Sequence, residues 1–424
     1  MSSASKKHLF AAVVVALLLR MAASFLAYPR LLDPYQDYFH FGWETGRIAA
    51  SLALGHGYSA PFYGGADATA WVPPLFPFLL SLVFEVLGVH TKASAIAILG
   101  LNSVFSALTC IPAFFIAQSF GERSARFAAW LWAVYPYAIY YSATRVWNQC
   151  LDALLMAILF AIALRMRPSS RLEVWLLWGI TWGVAALTNP AMLAVLPLLL
   201  AWICFRHRTE LQLHSWRPVL ALALMAAIVT PWIVRNYRVF HSFIPVRDNF
   251  WMEMRYGNNG DLSELIPDWV HPSTNEQERQ EYNRLGELRY GLKEKQVVLE
   301  SVQQHPWAFI GMCFRRVLFT WGGYWTSSRV YLQNNPFAKP HMLVTIVISF
   351  FAFAGLWHAV KSKNPIVLPF AMVLLVFPLP YYLSHANPQY RHPIDPIILA
   401  LGSYAAASAA SSRERVNDHA CENN

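Results

Sequence analysis

The stretch DPYQDYFHFGWETGRIAASLALGHGYSAPFYGGADATAWVPP, residues 33–74, follows the first hydrophobic segment, and the rest of the chain is organised around it. It is too long for a simple connection between two membrane helices. Three acids stand near its start, Asp33, Asp37 and Glu44, just after a segment long enough to cross a bilayer. Carboxylates at a membrane surface, flanked by aromatic side chains, indicate chemistry on a molecule that the membrane holds.

The composition indicates a membrane protein with many hydrophobic segments. Of the 424 residues, 56% are hydrophobic and 13% are charged, whereas soluble domains carry about 25% charged residues. The net charge is +9, but residues 241–304 hold eleven acids and seven lysines and arginines, a local balance of −4. The remainder therefore carries +13, the difference between these two values, mostly in short clusters beside apolar segments. Such clusters orient membrane helices and argue against a nucleic-acid partner.

The cysteine spacing argues against a disulfide-rich or zinc-binding protein, and the N-terminal segment argues against a cleaved signal peptide. Five cysteines are scattered without paired spacing, so neither a disulfide framework nor a zinc site is indicated. Lys6 and Lys7 precede an apolar segment, residues 9–28, that is long enough to span the hydrocarbon core. No small-residue cleavage site follows it, so we expect an uncleaved signal anchor.

The positions of the charges predict the topology. Two apolar segments, 75–87 and 306–325, are placed in the outer interface. If both crossed, the arginine clusters within 123–126, 165–171 and 206–217 would face outward, against the positive-inside rule. Ten spans remain, with both termini in the cytoplasm: 9–28, 95–120, 127–144, 146–164, 174–187, 191–205, 218–234, 342–360, 366–383 and 394–410.

The predicted fold is therefore an all-α polytopic membrane protein with about ten transmembrane helices, interfacial helices and a small subdomain on the outer face. An N-terminal transmembrane module covers 1–234 and includes the outer catalytic loop 29–74. The outer-face subdomain covers 235–340 with its interfacial helix 306–325, and the C-terminal helices and cytoplasmic tail cover 341–424. Ser273, Thr274 and Asn275 can cap a helix over 276–286 in this subdomain, which we expect to cover the outer mouth of a cavity.

The acids are the first candidates for chemistry. Asp37 and Glu44 have aromatic neighbours, and partial burial would raise the pKa of a carboxyl group and suit it to act as a base. Asp152 lies near the outer end of a span, where acids are costly and usually functional or paired. The alternative is that the loop acids are simply solvated. Arg20, within the first span, is expected to pair with an acid that lies in a span, as Asp152 does.

Arginines on the outer side are the candidates for binding phosphate, because the planar guanidinium donates two parallel hydrogen bonds. Alternatively, each reaches toward lipid head groups. The candidates are Arg235, Arg238, Arg315, Arg316 and Arg391.

At these residues the chain resembles the GT-C glycosyltransferases, specifically the family 39 group that includes protein O-mannosyltransferases and the aminoarabinose transferase of lipid A. The resemblance extends over nearly the whole chain. Besides an acid soon after the first span, it rests on IAASLALGHGYS (48–59), WVPPLFPFLLSLVFEVLG (71–88), LDALLMAILFAIAL (151–164), TPWIVRNYRVF (230–240) and YRHPIDPIILAL (390–401).

The resemblance implies transfer of a sugar from a polyprenyl-phosphate carrier to a lipid, glycan or protein acceptor at the outer face of the plasma (inner) membrane. It also implies an aspartate of the first outer loop as the base. The family's acid position corresponds to Phe41, so the role passes to Asp37, with Glu44 as its rival and Asp152 as a second acid. Val72 stands where the family has a phosphate-binding lysine, so an arginine must serve.

Two other classes of protein fit the same features. A polytopic transporter or flippase for a lipid carrier would also have many spans with buried charges, although such proteins usually show related halves, which this chain lacks. A non-catalytic homologue is the other alternative. No cofactor is predicted with certainty, and a divalent metal is left open.

Overall fold

A computed structural model describes residues 1–31, 41, 43–258, 270–324 and 338–422 of the chain. Within these ranges the protein is helical, and its extended structure is limited to an isolated bridge between Ser59 and Ala68. The membrane part before the polar segment contains α1 (Ser3–Leu31), α2 (Glu44–Ala53), α3 (Leu75–Leu87), α4 (Lys92–Leu108), α5 (Cys110–Gln118), α6 (Glu122–Ala133), α7 (Pro136–Thr144), α8 (Gln149–Arg165), α9 (Leu172–Thr188), α10 (Leu196–Arg206), α11 (Arg208–His214) and α12 (Trp216–Phe240).

The polar segment, residues 241–304, contains α13 (Phe250–Gly257), α14 (Glu276–Leu285) and α15 (Glu287–Gln304). The remaining helices are α16 (Pro306–Gly322), α17 (Ala338–Lys361), α18 (Val367–Val376), α19 (Leu379–Leu383) and α20 (Asp395–Glu422). The predicted cap of α14 is confirmed, because the Asn275 side chain accepts hydrogen bonds from the N–H groups of Gln277 and Glu278 at 2.8 and 3.2 Å.

In the described ranges, five helices are long and apolar enough to cross a membrane: Ser3–Leu26, Lys92–Gln118, Trp216–Phe240, Lys339–Lys361 and Pro388–Ala410. A sixth span results if the pair 190–206 and 208–214, bent by 91°, counts as one. Leu75–Leu87, Leu172–Thr188 and Val367–Leu383 are shorter apolar helices. The all-α membrane architecture is thus confirmed, whereas the number of ten spans and the interfacial position of 75–87 and 306–325 stay predictions.

The segment 127–144, expected as one span, is broken in two. α6 ends at Ala133 and α7 begins at Pro136, with Tyr135 extended between them at φ −63° and ψ 118°. Proline has no N–H to donate and disfavours a helical conformation in the residue before it. The break therefore follows from the sequence Tyr135–Pro136, which the hydropathy pattern alone does not reveal.

The carbonyl groups at this break bind Arg20, which corrects the expectation that Arg20 pairs with an acid. Its fully buried guanidinium donates to the carbonyl oxygens of Trp132 and Ala133 at 3.0 and 2.9 Å and to Ser106 Oγ at 2.7 Å. The last carbonyls of a helix lack partners and carry partial negative charge. The end of α6 thus takes the place of the expected carboxylate.

At the centre of the membrane part lies α8. It is apolar on all sides, and most of its residues are buried, as expected for a helix surrounded by others. Trp175, Trp178 and Trp182 of α9 belong to the same core as Phe160 of α8. The core fixes the N-terminal end of α8, which carries Asp152, relative to the loops beside it.

The polar segment packs against the second half of the 33–74 stretch. Met252, Tyr256, Tyr282 and Tyr290 form one buried cluster with Phe62 and Trp71. A buried ion pair inside the segment, Arg255 Nη1 to Glu294 Oε2 at 2.7 Å, joins α13 to α15. The segment and the loop therefore share one core, and the first turn of the segment is held at the edge of a cavity.

Candidate active site

An open cavity lies where several parts of the chain meet: the start of α2, the N-terminal end of α8, the turn after α9, the start of the polar segment and the turn before α20. Apolar walls are supplied by residues such as Phe76 and Pro77 of α3. The polar lining consists of Thr45, Asn148, Gln149, Asp152, Thr188, Asn189, Arg247, Glu253, Tyr381, Ser384, His385, Gln389 and Tyr390.

Asp152 is the buried acid of this cavity. It lies in the first turn of α8, where the helix dipole favours a negative charge. Its Oδ2 accepts hydrogen bonds from Asn148 Nδ2 at 2.8 Å and from Asn189 Nδ2 at 3.0 Å. Its Oδ1 is buried and has no hydrogen-bond partner within the described ranges. Two amides therefore fix one oxygen of this cavity-lining side chain and leave the other without a donor in the described ranges.

Asn189 is itself fixed by the backbone. It follows α9 and begins the 3-10 turn Pro190–Ala194, where its Oδ1 accepts the N–H of Ala191 at 3.2 Å. Because the amide oxygen is used in this cap, the amide nitrogen is left to donate to Asp152. The local sequence TNPA at 188–191 thus supports the Asp152 carboxylate directly.

Arg247 supplies positive charge to the cavity. Its Nη2 lies 3.8 Å from Glu253 Oε1, longer than a hydrogen bond, and its side chain is 34% exposed. His385 Nδ1 lies 3.2 Å from Glu253 Oε2 and its Nε2 is bonded to the Tyr390 hydroxyl at 2.9 Å. Burial lowers the pKa of His385 to about 4, so its ring is neutral at physiological pH. The positive charge at this wall therefore belongs to Arg247.

Glu44 lies beside the cavity as the first residue of α2. Its neighbour Thr45 lines the cavity, and the Glu44 carboxylate interacts electrostatically with Glu253 on the facing wall. Ser273 Oγ donates to Glu44 Oε1 at 2.7 Å, and burial raises the pKa of Glu44 to about 7. A carboxyl group with this pKa can exchange a proton near neutral pH. Asp37, the other first-loop candidate, lies outside the described residues.

Three of the predicted phosphate-binding arginines are engaged in contacts within the protein. Arg235 donates to the carbonyl oxygens of Thr69 at 2.6 Å and Tyr58 at 2.9 Å. Buried Arg391 contacts Asp395 Oδ1 at 3.0 Å and lines a second, small cavity.

Arg316 is also buried. It donates to the carbonyl oxygens of Tyr382 and Leu383, each at 3.0 Å, to Asn258 Oδ1 at 2.9 Å and to the carbonyl of Gly257. The other two predicted residues, Arg238 and Arg315, have exposed side chains. The structure thus places Asp152 in the lining of the cavity and Glu44 beside it, whereas none of the five predicted arginines is among the lining residues.

Arg247, Glu253, Asn189 and His385 were not among the predicted site residues. The available signal for Arg247 was its position in IPVRDNF, a charged pair between apolar residues just after a span. Nothing in the sequence showed that Arg247 lines the same cavity as Asp152, which is 95 positions earlier. Within the described ranges, no group of three or more His, Cys, Asp and Glu residues is arranged to hold a metal ion.

Comparison with known proteins places this arrangement in a known architecture. The family model described as dolichyl-phosphate-mannose-protein mannosyltransferase matches residues 71–234. The archaeal oligosaccharyltransferase AglB from Archaeoglobus fulgidus, solved with an inhibitory peptide and a dolichol-phosphate, aligns with a TM-score of 0.59 and 15% identity over 99% of this chain. The chain has the GT-C fold. The resemblance predicted from the sequence is thereby confirmed at the level of the fold.

Two further solved structures are similar to this chain over most of its length. The Archaeoglobus fulgidus oligosaccharyltransferase solved with Zn and sulfate aligns with a TM-score of 0.58 and 13% identity over 95% of this chain. The chain spans about half the length of these archaeal enzymes, 49% and 52%. ArnT from Cupriavidus metallidurans bound to undecaprenyl phosphate aligns with a TM-score of 0.42 and 15% identity, over 96% of this chain and 79% of that one. No curated protein matches the chain in sequence.

Proposed function

We propose that this protein is a membrane glycosyltransferase that moves a sugar from a polyprenyl-phosphate carrier to an acceptor with a hydroxyl or amine group. The observation that carries the proposal is the cavity lined by both Arg247 and Asp152, whose Oδ1 has no partner among the described residues. A carboxylate that can orient the acceptor and a cation that can stabilise negative charge on the leaving group suit a transfer reaction of this kind. The GT-C fold and the matching family model support the same reaction.

In the proposed reaction, an acceptor oxygen or nitrogen forms a bond to the anomeric carbon of the sugar. The bond between this carbon and the carrier phosphate oxygen breaks, and its electron pair leaves with the phosphate. Arg247 stabilises the charge that develops on the leaving phosphate, as fixed cations do at developing anions. A single in-line displacement of this kind inverts the anomeric centre.

The proton of the acceptor passes to a carboxylate of the first loop. The predicted base, Asp37, and its rival, Glu44, both belong to this loop, and Glu44 lies beside the cavity with a pKa of about 7. General base catalysis of this kind is worth about 10²–10⁴-fold in rate. Asp152, as the second acid, accepts a hydrogen bond from the acceptor through Oδ1 and orients it for attack.

We place the reaction at the outer face of the inner membrane, because the charge clusters put the 33–74 stretch and the polar segment on that side. The proposal covers hexoses and pentoses as the transferred sugar. The acceptor class, lipid, glycan or protein, is likewise open to experiment.

The test is to incubate the purified protein in nanodiscs with a polyprenyl-phosphate sugar labelled in the sugar, together with membrane extract as a source of acceptors. Transfer predicts labelled product and free polyprenyl phosphate in equal amounts. Glu44→Gln and Asp37→Asn are compared with wild type, and loss of turnover in one of them identifies the base. If both variants keep full turnover, the first-loop base is refuted.

The same preparation separates the alternative classes. In proteoliposomes, a flippase moves the intact labelled lipid between leaflets without releasing polyprenyl phosphate. A non-catalytic homologue binds the lipid and does neither. Either outcome would overturn the proposed transfer reaction.

A further inference from the structure

Residues 270–275 of the polar segment form a turn that contacts Glu44. Ser273 Oγ donates to Glu44 Oε1 at 2.7 Å, and His271 Nε2 lies 3.7 Å from the same oxygen. Ser273 and Glu44 are separated by 229 positions in the sequence. The contact therefore joins the polar segment to the first helix of the catalytic loop at a single carboxylate oxygen.

The geometry of the turn fixes the protonation of His271. The backbone N–H of Ser273 donates to His271 Nδ1 at 3.1 Å. Because Nδ1 accepts this hydrogen bond, the neutral ring carries its proton on Nε2, the nitrogen that faces Glu44. Burial lowers the pKa of His271 to about 4, so the ring stays neutral. It therefore presents an N–H dipole to the carboxylate without adding a charge.

Aromatic rings hold His271 in place. Its ring lies 5.6 Å from that of Trp43, 5.9 Å from that of Phe62 and 5.8 Å from that of Tyr256, measured between centroids. Trp43 itself has a φ of 51°, a left-handed conformation that is strained for a bulky side chain. Strain of this kind immediately before Glu44 indicates that the surrounding packing determines the position of this acid.

From these contacts we infer that His271 and Ser273 are positioning residues for Glu44, so that the polar segment forms part of the catalytic apparatus. This inference rests on the proposed function for its catalytic meaning. The two residues fix the position of the Glu44 carboxylate beside the cavity and stabilise its ionised form. The sequence-based expectation gave the segment only a covering role, so the inference assigns it two specific side chains.

The hydrogen bond from Ser273 has a defined effect on proton affinity. Burial, the largest influence, raises the pKa of Glu44, and the bond from Ser273 lowers it. The other charged groups around it are Glu253, which raises the pKa, and Arg47 of the same helix, which lowers it. Removing the Ser273 hydroxyl should therefore raise the pKa further, by about one unit, since hydrogen bonds to charged groups have roughly that strength.

The experiment titrates Glu44 directly by infrared difference spectroscopy on the purified protein, with Glu44→Gln used to assign the carboxyl band. Ser273→Ala is expected to move the midpoint upward by about one pH unit, and Ser273→Thr, which restores a hydroxyl, should return it toward wild type. Asn275→Ala serves as the control, because it removes the cap of α14 without a contact to Glu44. A midpoint that is the same in folded Ser273→Ala and wild type would overturn the inference.

A second variant and a second readout keep the two proposals distinguishable. If Ser273→Ala does not fold, His271→Phe keeps the ring packing, removes the Nε2–H and is expected to move the midpoint in the same direction. Where transfer is measurable, the acid limb of its pH–rate profile should move together with the infrared midpoint. A shifted midpoint in a protein without any transfer activity would refute the proposed function and leave the positioning of Glu44 intact.

Discussion

The side-chain amide of Asn189 donates a 3.0 Å hydrogen bond to Asp152 Oδ2, and Asn148 donates a second one to the same oxygen at 2.8 Å. Both amides belong to the protein itself, so the carboxylate is oriented by the fold before any ligand binds. Oδ1 is left buried without a partner in the described part of the chain. A buried acceptor in this condition is costly unless a ligand or water supplies the donor.

Asp152→Asn should therefore impair transfer although it preserves shape. Because Asn148 and Asn189 donate, the new amide must turn its oxygen toward them, and its NH₂ group then replaces Oδ1 at the cavity wall. An acceptor becomes a donor there. We expect kcat/KM for the acceptor to fall about 10- to 100-fold, the strength of a hydrogen bond to a charged group. The measurement is release of polyprenyl phosphate at several acceptor concentrations, and unchanged kinetics would contradict the assignment.

Arg247→Ala should reduce kcat/KM for the donor by about 10²–10³-fold, because it removes the cation that stabilises the leaving phosphate. Arg247→Lys keeps the charge but loses the planar fork, so we expect an intermediate loss. Arg284→Ala is the matched control, since this arginine lies on the same segment, is 73% exposed and contacts only Glu281 at 3.5 Å among the ion pairs described. Equal effects of Arg247→Ala and Arg284→Ala on turnover would refute a specific role.

How far the sequence predicts this site depends on the distance between its parts. The acids Glu44 and Asp152 were found because each is unusual in its local context: one is flanked by aromatic residues, the other lies in a span. Arg247 was missed because its neighbourhood is an ordinary mixed-charge loop, and only the fold places it across the cavity. Similarly, Arg235 and Arg316 were good candidates by residue type, but backbone carbonyls that no local pattern reveals occupy their guanidinium groups.

Arg316→Ala should destabilise the protein more than Arg315→Ala does. The fully buried Arg316 guanidinium satisfies the carbonyls of Tyr382 and Leu383 and ties them to the end of α13. Its loss removes the donor from the carbonyls of Tyr382 and Gly257 and from Asn258 Oδ1, whereas the Leu383 carbonyl still accepts from Asn258 Nδ2 at 3.1 Å. A buried unpaired acceptor costs about 1–3 kcal/mol, so we expect a total loss of about 3 kcal/mol or more. Arg315 is exposed, and truncating it should cost less. Thermal unfolding in detergent measures both variants. Equal melting temperatures would contradict a stabilising role for the Arg316 hydrogen bonds.

The carboxyl pair of Asp248 and Glu287 should make stability depend on pH. Glu287 accepts hydrogen bonds from the Ala70 N–H at 2.6 Å and the Tyr282 hydroxyl at 2.7 Å, and so joins α15 to the 33–74 stretch. Burial, followed by the nearby Glu287 charge, raises the pKa of Asp248. The folded state then binds a proton more tightly than the unfolded chain, whose aspartate pKa is about 3.9.

The sign of the effect follows from this difference. The stabilisation is fully present below the unfolded pKa and decreases as pH rises toward the folded pKa, by at most about 1.4 kcal/mol per pH unit. Asp248→Asn mimics the protonated form at every pH, so it should reduce the loss of stability between pH 5 and pH 8. Melting temperatures of wild type and variant at both values provide the measurement. A parallel decrease in the two proteins would show that Asp248 does not carry the effect.

The last prediction concerns the side of the membrane on which the cavity opens. If the arginine clusters are cytoplasmic, the polar segment and the cavity lie outside. A cysteine in place of Gln303, exposed at the end of α15, should react with an impermeant maleimide applied to intact cells. A cysteine in place of Arg171, exposed just before α9, should react only after the membrane is opened. Both variants are made in a cysteine-free background, because Cys204 and Cys313 are partly accessible. Reaction of the Arg171 position in intact cells, with protection of position 303, would invert the topology and with it the proposed location of sugar transfer.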